Sequence, residues 1–403
     1  MKILVVTQYF YPENFRINQL CLDLQHMGHQ VTVLTGKPNY PKGVYFDGYS
    51  YKGNDDETWN DIPIMRVPLR ARKKGAKNLI LNYCSFVKHA NRKVKKINES
   101  FDIIYVFGLS PITVALPAIK FKKKSNIPIA INVQDLWPES VIAVTGMKTK
   151  FIISFIDRLV NYIYKHCDLI LCASPSFVEK IKKRVKNKDK VRYWPQYASV
   201  SKNQSNERLF DENEFHIVFT GNIGEAQGID IAIEAARYLV DTKIHWHFIG
   251  DGRKKESLEK LVSEYRLENH VTFHGFKEES EIPKYLSSAD MALLILKPDP
   301  VFEMTIPAKL QTYLACGVPI IGCVSGEGKR IIEESQAGLI SEEISVKGLV
   351  SVCEKALDLK ESELKAYGDH ALTYGMTHFN KNVLLEKLNG FMNELIEDEN
   401  QRS

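Results

Sequence analysis

A group of polar residues in the last third of the chain has the spacing of a ligand site. Glu303 precedes a helix that the sequence predicts to begin at Pro307 and to end before Gly317, with Lys309 in its first turn and Gln311 two residues further on. The first N–H groups of a helix lack partners within it and carry partial positive charge, so they bind phosphate well. A lysine at that end is unfavourable unless an anion lies beside it. The spacing therefore predicts a site for a phosphorylated ligand, with Glu303 and Gln311 holding its hydroxyl groups.

Two glycine-rich turns earlier in the chain have the composition of backbone that approaches a ligand closely. Each follows an apolar, strand-like run, His216–Thr220 in one case and His245–Gly250 in the other. Glycine lets backbone N–H groups point at an anion, and a cation just after such a turn would face the same anion. Glycines here can equally serve the turn alone, and Arg253 can equally be a plain surface residue. The candidate binding residues in these turns are Gly221, Asn222, Gly224, Gln227, Asp251 and Arg253.

A third turn, Phe273-His-Gly-Phe276, ends the next strand-like run. In a parallel sheet, the three turns would follow the carboxyl ends of their strands and so share one edge, which is where such sheets bind ligands. His274 alone is more typical of a structural histidine than of a catalyst. Phe276 joins the candidate binding residues.

The elements that must position these residues alternate along the whole chain. Short runs rich in Val, Ile and Leu are separated by helix-like segments, a pattern typical of parallel sheets covered by helices. The pattern fills residues 1–198, pauses in the polar segment 199–214, and restarts over 215–375, with a final helix and tail at 376–403. We predict two Rossmann-like, doubly wound α/β domains with a site in the cleft between them. The predicted strands are Lys2–Thr7, Gln30–Thr35, Asp102–Phe107, Ile127–Val133, Leu169–Ala173, Val191–Trp194, His216–Thr220, His245–Gly250, Val271–Gly275, Met291–Leu296, Val318–Gly322 and Gly338–Ile340.

Charge is divided unequally between the two halves. Residues 1–200 contain 32 Lys/Arg and 15 Asp/Glu, whereas residues 201–403 contain 22 and 34. In the segment Arg70–Lys88, cations alternate with apolar residues in a way that suits an amphipathic helix on an anionic membrane surface, although a solvated helix face is the alternative for any single lysine. Nucleic acid would also attract these cations. However, no zinc finger or aromatic RNA-binding motif is visible, so we expect no nucleic-acid partner.

The cellular location follows from the start of the chain and from its cysteines. Met1-Lys2 leads directly into the apolar run Ile3–Val6, which is too short for a secretory signal peptide. Seven cysteines without regular spacing favour reduced thiols, and they form no paired zinc motif. The sequence therefore predicts a cytoplasmic protein, attached peripherally to the inner face of the cell membrane.

The ordered set of motifs resembles a known family. The chain is similar to the family 4 retaining glycosyltransferases of GT-B fold, in particular to the branch that builds bacterial capsule and O-antigen repeat units. The resemblance implies that the first domain binds the acceptor, the second binds a nucleotide-sugar, and the last helix crosses back to the first domain. Outside the second-domain turns, it is carried by Met1–Pro12, Gly28–Gly36, Pro38–Pro41 and Gln134–Ser140.

Three departures from the family pattern fall on the donor site. Where the family has a second glutamate, this chain has Gln311 when counted from Glu303, or Thr312 when aligned back from Gly317. Either side chain could accept a ribose hydroxyl, but without charge. The arginine and lysine that hold the diphosphate in the family correspond to Asn222 and Gln227. Lys309 and Arg253 are the replacement cations by hypothesis.

A fourth departure concerns the acceptor side. Where many relatives have a histidine, this chain has Gln134 followed by Asp135. That leaves Asp135 or Glu139 as the polar candidates, with Asp135 as a helix cap the equal alternative.

The resemblance implies a specific reaction. A sugar, N-acetylated amino or deoxyamino in type, would pass from a UDP-sugar to a polyprenyl-diphosphate-linked saccharide, with retention and with neither metal nor cofactor. Glu303, Lys309 and Asp135 would be the catalytic residues of this hexosyl or N-acetylhexosaminyl transferase (EC 2.4). Uridine is implied by the resemblance alone, although no residue visibly rejects guanosine.

Two other functions fit parts of the pattern. A nucleotide-sugar epimerase can share this two-domain fold. However, that function would not explain why the first half is basic and has apolar residues among its cations. A non-catalytic member of a polysaccharide assembly complex would not need Glu303 and the glycine turns. Epimerisation without acceptor would favour the first alternative.

Overall fold

The computed structural model describes residues 1–53, 56–73, 75–146, 148–198 and 208–402. The chain forms two compact units, one of Met1–Trp194 with Leu385–Ser403 and one of Pro195–Leu384. Much of the predicted linker, residues 199–207, lies outside the described residues, and the predicted domain boundaries stay predictions. Each unit is built on its own sheet, as the alternating sequence pattern predicts.

The first unit contains a sheet whose strands run in the order β3-β4-β2-β1-β5-β6-β7-β8. Every neighbouring pair is parallel except β3 and β4. The inner strands are buried along almost their whole length, which explains why they read as continuous apolar runs rather than as alternating ones. Its strands are β1 (Lys2–Val6), β2 (Gln30–Gly36), β3 (Asp56–Trp59), β4 (Ile62–Val67), β5 (Ile103–Gly108), β6 (Ile129–Val133), β7 (Leu169–Cys172) and β8 (Val191–Tyr193).

The hairpin of β3 and β4 is absent from the predicted strands. Asn60 and Asp61 join its strands with positive φ angles of 48° and 63°, a conformation that Asn and Asp tolerate in tight turns. The signal was weak because Pro63 interrupts the second strand. Arg66 on β4 is buried and bonds to Glu57 of β3 and to the carbonyl oxygen of Gly36. The hairpin thus adds two strands beyond β2.

Helices cover this first sheet. The helix predicted within residues 70–88 begins later, so that Arg70–Lys73 lie in the loop before it. The helices are α1 (Arg16–His26), α2 (Ala76–Lys93), α3 (Ala115–Ser125), α4 (Glu139–Thr145), α5 (Lys150–His166) and α6 (Pro175–Lys182).

The second unit contains a wholly parallel sheet in the order β11-β10-β9-β12-β13-β14. The strands are β9 (Phe215–Thr220), β10 (Ile244–Ile249), β11 (Val271–Gly275), β12 (Met291–Ile295), β13 (Ile320–Cys323) and β14 (Gly338–Ile340). The helices are α7 (Ile229–Ala236), α8 (Lys255–Glu264), α9 (Ile282–Ser287), α10 (Pro300–Glu303), α11 (Ala308–Cys316), α12 (Gly326–Ser335), α13 (Val346–Leu357) and α14 (Glu361–His378).

A last helix, α15 (Lys381–Arg402), ends the described chain. From Leu385 onward it belongs to the first unit, where Glu394 forms an ion pair with Arg192 at 3.1 Å. The prediction that the chain returns to its first domain at the end is confirmed.

Candidate functional site

The three glycine turns of the second unit meet at one edge of its sheet. Gly221 N–H donates to the carbonyl oxygen of Ile249 at 2.9 Å, and Gly250 N–H donates to that of Gly275 at 2.8 Å. Ile223 N–H donates to Asp251 O at 2.8 Å. The carboxyl ends of β9, β10 and β11 are therefore held side by side, as expected for a ligand-binding edge.

This contact between turns depends on Gly250. Its φ of +140° is a conformation that L side chains rarely adopt, and a Cβ there would lie 1.9 Å from the carbonyl oxygen of Gly221. No other residue fits that approach without moving the backbone. Gly250 in the second turn is thus required for the first turn to lie this close to it.

Lys309 lies against the first turn. Its ammonium donates to Oε1 of Gln227 and sits 3.7 Å from the centre of the Phe219 ring. A Cβ on Gly221 would lie 3.9 Å from Lys309 Nζ. Helix α11 therefore directs this lysine into the turn after β9, where the sequence predicts a bound phosphate.

The ammonium of Lys309 lacks a counter-charge. Burial holds its pKa well below the ordinary lysine value, and no carboxylate among the described residues offsets that effect. Its neighbours are an amide oxygen and an aromatic ring, which stabilise a cation far less than an anion does. An anionic ligand at this place would supply the missing charge.

The start of α11 contributes to the same place. Pro307 is the residue before the helix, with φ −64° and ψ 131°, rather than its first helical residue as predicted. Among the described residues no side-chain bond caps this end, so the N–H groups of Ala308 and Lys309, which have no partner within the helix, can face a ligand. At the other end, Gly317 adopts a left-handed φ of 66° and ends the helix as predicted.

Tyr313 fixes α11 to the sheet. Its hydroxyl accepts from Thr220 N–H at 3.0 Å and donates to the carbonyl oxygen of Leu293 at 3.3 Å. Since Tyr313 is fully buried, these bonds hold the helix against the end of β9 and the middle of β12. The lysine one turn earlier is positioned by this anchor.

Glu303 is the last residue of the short helix α10, which begins at Pro300. Asp299 caps the start of this helix, and its carboxylate accepts from Val301 N–H at 2.8 Å. Ser325 Oγ donates to Glu303 Oε1 at 3.0 Å. Gly326, at φ +64°, lies so close that a Cβ there would be 2.0 Å from the carbonyl oxygen of Glu303. The segment after β13 thus supports Glu303 through both its side chain and its backbone.

Gln311 and Thr312 differ in accessibility. Gln311 is only 2% exposed, and its Oε1 has no hydrogen-bond partner among the described residues. Thr312 is half-buried and lies one turn after Ala308, whose carbonyl oxygen accepts from its hydroxyl at 3.4 Å. Of the two positions, Thr312 faces the more open side of the helix.

The remaining predicted residues of this unit surround the edge. Gly221, Asn222, Asp251 and Arg253 are exposed, and Gly224 is half-buried. Asp251 Oδ1 accepts from Gly252 N–H at 2.7 Å, so this carboxylate shapes its own turn. Phe276 is 68% exposed, an unusual state for so large an apolar ring.

His274 belongs to a structural network. Its Nε2 lies 2.9 Å from Nδ1 of His247, whose Nε2 lies 3.0 Å from Nδ1 of His216. Phe210 stacks on His247 with 3.9 Å between ring centres. Burial lowers the pKa of His247 to about 2. These rings are hydrogen-bonded partners of one another, which agrees with a structural histidine at 274.

Two family models match the chain. Residues 15–197 match Glycosyltransferase Family 4, and residues 200–370 match Glycosyl transferases group 1. The chain is a glycosyltransferase.

A curated relative of the transferase is WcaI of Escherichia coli K12, a candidate colanic acid biosynthesis glycosyl transferase. The two are 24% identical over 346 residues, which cover 79% of this chain and 82% of the relative. Solved structures show the same fold over almost the whole length. Sucrose-phosphate synthase from Thermosynechococcus elongatus aligns with a TM-score of 0.76 at 15% identity, over 98% of this chain and 99% of that one. HepE from Anabaena in complex with UDP aligns with a TM-score of 0.69 at 12% identity, over 98% and 100%.

These likenesses show that the transferase has the GT-B fold, with two Rossmann-like α/β units. The fold class predicted from the sequence is confirmed.

In the first unit of the transferase, Asp135 follows β6 and accepts from Ser110 N–H at 2.8 Å. It does not cap the next helix, because α4 begins at Glu139 after Pro138. Glu139 itself lies 3.7 Å from Arg184, an ion pair within the unit. Asp135 also raises the pKa of Tyr83, secondary to burial of that phenol. Asp135 is thus half-buried near a tyrosine at the carboxyl edge of the first sheet.

Glu13 is a buried carboxyl that sequence reasoning missed. It accepts from the backbone N–H groups of Asn39 at 2.8 Å, Tyr40 at 2.7 Å and Phe10 at 3.3 Å. Burial raises the pKa of Glu13 to about 7, against the lowering effect of those N–H groups. It ties the loops after β1 and β2 together at the edge that contains Asp135.

Helix α5 of the transferase presents an apolar surface to solvent. Phe151 is 82% exposed and Phe155 is 64% exposed, and residues four apart lie on one face of a helix. Lys150 and Arg158 are exposed beside them. Over the described ranges, no helix is long and apolar enough to cross a membrane. Nor do any three described His, Cys, Asp or Glu residues form a group able to hold a metal ion.

Proposed function

We propose that the enzyme transfers a sugar from a UDP-sugar to a polyprenyl-diphosphate-linked saccharide, with retention and without a metal, during bacterial capsule or O-antigen synthesis. The observation that carries this proposal is the ammonium of Lys309, which lies beside the turn after β9 with no carboxylate partner among the described residues. Such a cation, placed at the start of a helix, suits a diphosphate. The name of WcaI supports polysaccharide synthesis, and the UDP bound to HepE supports a uridine nucleotide.

The diphosphate would be held by Lys309, by the first N–H groups of α11 and by the backbone of Gly221–Gly224. Gln227 already accepts from Lys309, so it would orient the ammonium rather than contact the ligand as a cation. Arg253, exposed after the second turn, is the candidate for a second positive charge. Lys309 and Arg253 would thus take over the role of the arginine and lysine that the family has at the positions of Asn222 and Gln227.

The nucleoside would lie along the same edge. Thr312, on the more open side of α11, is placed better than the buried Gln311 to accept a ribose hydroxyl. Phe276 and Asp251 follow β11 and β10 at this edge, and the exposed ring of Phe276 is suited to contact the base. Gln311 would then support the helix from inside the unit.

Glu303 would hold the hydroxyl groups of the donor sugar. Its Oε1 already accepts from Ser325, which leaves the second carboxylate oxygen to accept from the sugar. A carboxylate fixed in this way orients the sugar ring relative to its bond with the diphosphate.

In the reaction, the bond between the anomeric carbon and the diphosphate oxygen breaks, and the electron pair stays on the departing UDP. Lys309 and the helix N-terminus stabilise the growing negative charge, a role that metal ions fill in other transferases. The acceptor hydroxyl forms the new bond on the face that UDP leaves, which retains the configuration. Its proton passes to the departing phosphate oxygen. Asp135 is the proposed polar group on the acceptor side.

A panel of nucleotide-sugars tests this function. The purified enzyme is incubated with UDP- and GDP-linked hexoses, N-acetylhexosamines and deoxyamino sugars, each with and without an isoprenoid-diphosphate saccharide, and the products are read by mass. We expect one UDP-sugar to add a single sugar to the acceptor and to release UDP. An altered donor sugar without acceptor would instead indicate an epimerase, and absence of transfer from every donor would contradict the proposal.

We also propose that the enzyme works at the inner, anionic surface of the cell membrane. Phe151 and Phe155 on α5 would insert at the interface between headgroups and acyl chains, while neighbouring cations attract anionic lipid.

Replacing both phenylalanines with serine should weaken binding to phosphatidylglycerol vesicles at least about tenfold, because each ring loses its burial in the interface. Vesicle sedimentation measures the bound fraction. The matched control replaces Tyr238 and Val240, exposed apolar residues of the second unit, and should bind as the wild type does. Equal binding by the F151S/F155S variant would reject this surface.

A further inference from the structure

The first unit has a cavity that none of the sites above includes. Its volume is about 570 Å³, within the range of small-molecule pockets. The loop after β2, the loop after β4 and the outer face of α2 line it. Because β2 and β4 are parallel neighbours, the cavity lies at the carboxyl edge of the sheet, where open α/β sheets bind ligands.

The cavity is positively charged. Arg70, Lys73 and Lys88 line it, and no acidic side chain does so among the described residues. None of the three cations forms an ion pair within the described ranges, whereas Lys93, five residues beyond Lys88 on α2, pairs with Asp56 at 2.7 Å. Three uncompensated cations around one cavity favour a ligand with more than one negative charge.

Part of the cavity wall is apolar, and hydrogen bonds and ring contacts hold it in position. Tyr45 donates to the carbonyl oxygen of Leu69 at 2.8 Å. The ring of Tyr51 meets that of His89 edge to face, with centres 5.9 Å apart. Leu81 completes this side. The ligand should therefore carry an apolar part next to its charges.

A buried network holds α2 in place beside the cavity. Asn82 donates to the carbonyl oxygen of Arg70 at 2.6 Å and accepts from Gln8 Nε2 at 2.7 Å. Arg70 N–H donates to Ser85 Oγ at 2.8 Å. The residues after β1, the loop after β4 and helix α2 are thus linked by hydrogen bonds. These bonds fix the backbone that carries Arg70 and the helix that carries Lys88.

We propose that this cavity binds the isoprenoid-diphosphate end of the acceptor, with Arg70, Lys73 and Lys88 on the phosphates and Tyr45, Tyr51 and Leu81 against the first isoprene units. The assignment rests on the proposed function for the identity of the acceptor. A diphosphate attached to a hydrocarbon matches both features of the cavity, its three cations and its apolar walls.

Cys84 reports on occupancy of this cavity. It lines the cavity and is exposed, whereas the other six cysteines of the chain are buried. Alkylation by N-ethylmaleimide, followed by intact mass, therefore modifies Cys84 first. A ligand in the cavity should slow that reaction.

The experiment uses farnesyl diphosphate as the probe, with farnesol, inorganic diphosphate and phosphatidylglycerol vesicles as separate arms. We expect farnesyl diphosphate to slow Cys84 alkylation about fivefold or more, since roughly four-fifths occupancy suffices. Farnesol should have no effect, and inorganic diphosphate a smaller one. Protection should disappear in an R70A/K73A/K88A variant and persist in K183A/K186A/K188A, which removes three exposed lysines elsewhere in the unit.

Three outcomes would overturn the assignment: no protection by farnesyl diphosphate, equal protection in R70A/K73A/K88A, or equal protection by phosphatidylglycerol vesicles, which would make the cavity a general contact for anionic lipid. The readout needs neither donor nor transfer. Loss of protection with transfer intact would therefore reject the cavity alone, whereas protection without any transfer would reject the proposed function alone. The ratio of rates with and without ligand is taken within each variant, so a changed thiol reactivity cancels.

Discussion

Replacing Lys309 with alanine should lower the rate of sugar transfer about tenfold to a thousandfold, the range expected for loss of one group that stabilises transition-state charge. The ammonium sits beside the Gly221 turn without a carboxylate partner among the described residues, so its removal leaves the departing diphosphate only the helix N-terminus, the turn backbone and the exposed Arg253. Steady-state rates of UDP release with saturating acceptor measure the effect.

Lys297 provides the matched control. It lies near the same turn but is already paired with Asp230 at 2.9 Å and with Glu225 at 3.4 Å. Because those carboxylates compensate its charge, Lys297→Ala should change the rate by less than about threefold. Near-normal transfer by the Lys309 variant, or equal loss in both, would reject the role given to Lys309.

Replacing Glu303 with glutamine should lower kcat/KM for transfer about tenfold to a hundredfold, the cost of losing a hydrogen bond to a charged group. The affinity for UDP should stay unchanged, because the proposal places this carboxylate on the sugar rather than on the nucleotide. Titration calorimetry with UDP and transfer kinetics separate the two effects.

Ser325→Ala gives the intermediate case. It removes the hydroxyl that donates to Glu303 at 3.0 Å but keeps the carboxylate, so we expect a loss of about two- to tenfold. A larger loss in Ser325→Ala than in Glu303→Gln would show that the serine, not the glutamate, contacts the sugar.

Local sequence patterns predicted the main elements well. The strand from Val271 to Gly275 has its predicted bounds, and α11 ends before Gly317 as predicted. Buried parallel strands read as apolar runs, and glycine at a helix end has a specific conformational cause, so both signals are local. The hairpin was missed because Pro63 and the short Asp56–Trp59 strand weaken the same kind of signal.

Features made by distant residues could not be predicted in this way. Ser325 meets Glu303 across 22 residues, and Gln8 meets Asn82 across 74. No spacing rule connects such positions, because the fold alone brings them together. The cavity beside α2 is a further example: Arg70 and Lys88 read as parts of one basic segment, yet the structure places them around a single concave space.

The choice between Gln311 and Thr312 shows a third kind of limit. Both counts are consistent with the sequence, and a shift of one residue on a helix turns a side chain by about 100°. Accessibility separates them, since Gln311 is buried and Thr312 is not. Which of the two contacts a ribose stays a prediction.

Lys309 should bind the negative charge of a diphosphate. Its pKa is lowered by burial, and a bound diphosphate would raise that pKa, so UDP should bind preferentially to the protonated amine. Between the two pKa values, binding takes up a proton, and UDP affinity falls as pH rises through the lowered pKa.

Titration calorimetry of UDP in buffers of different ionisation enthalpy measures this uptake directly. The Lys309→Ala variant reports the proton exchange of the nucleotide alone. We expect uptake of up to about one proton more in the wild type than in the variant, together with tighter binding. Equal proton exchange and equal affinity in the two proteins would contradict it.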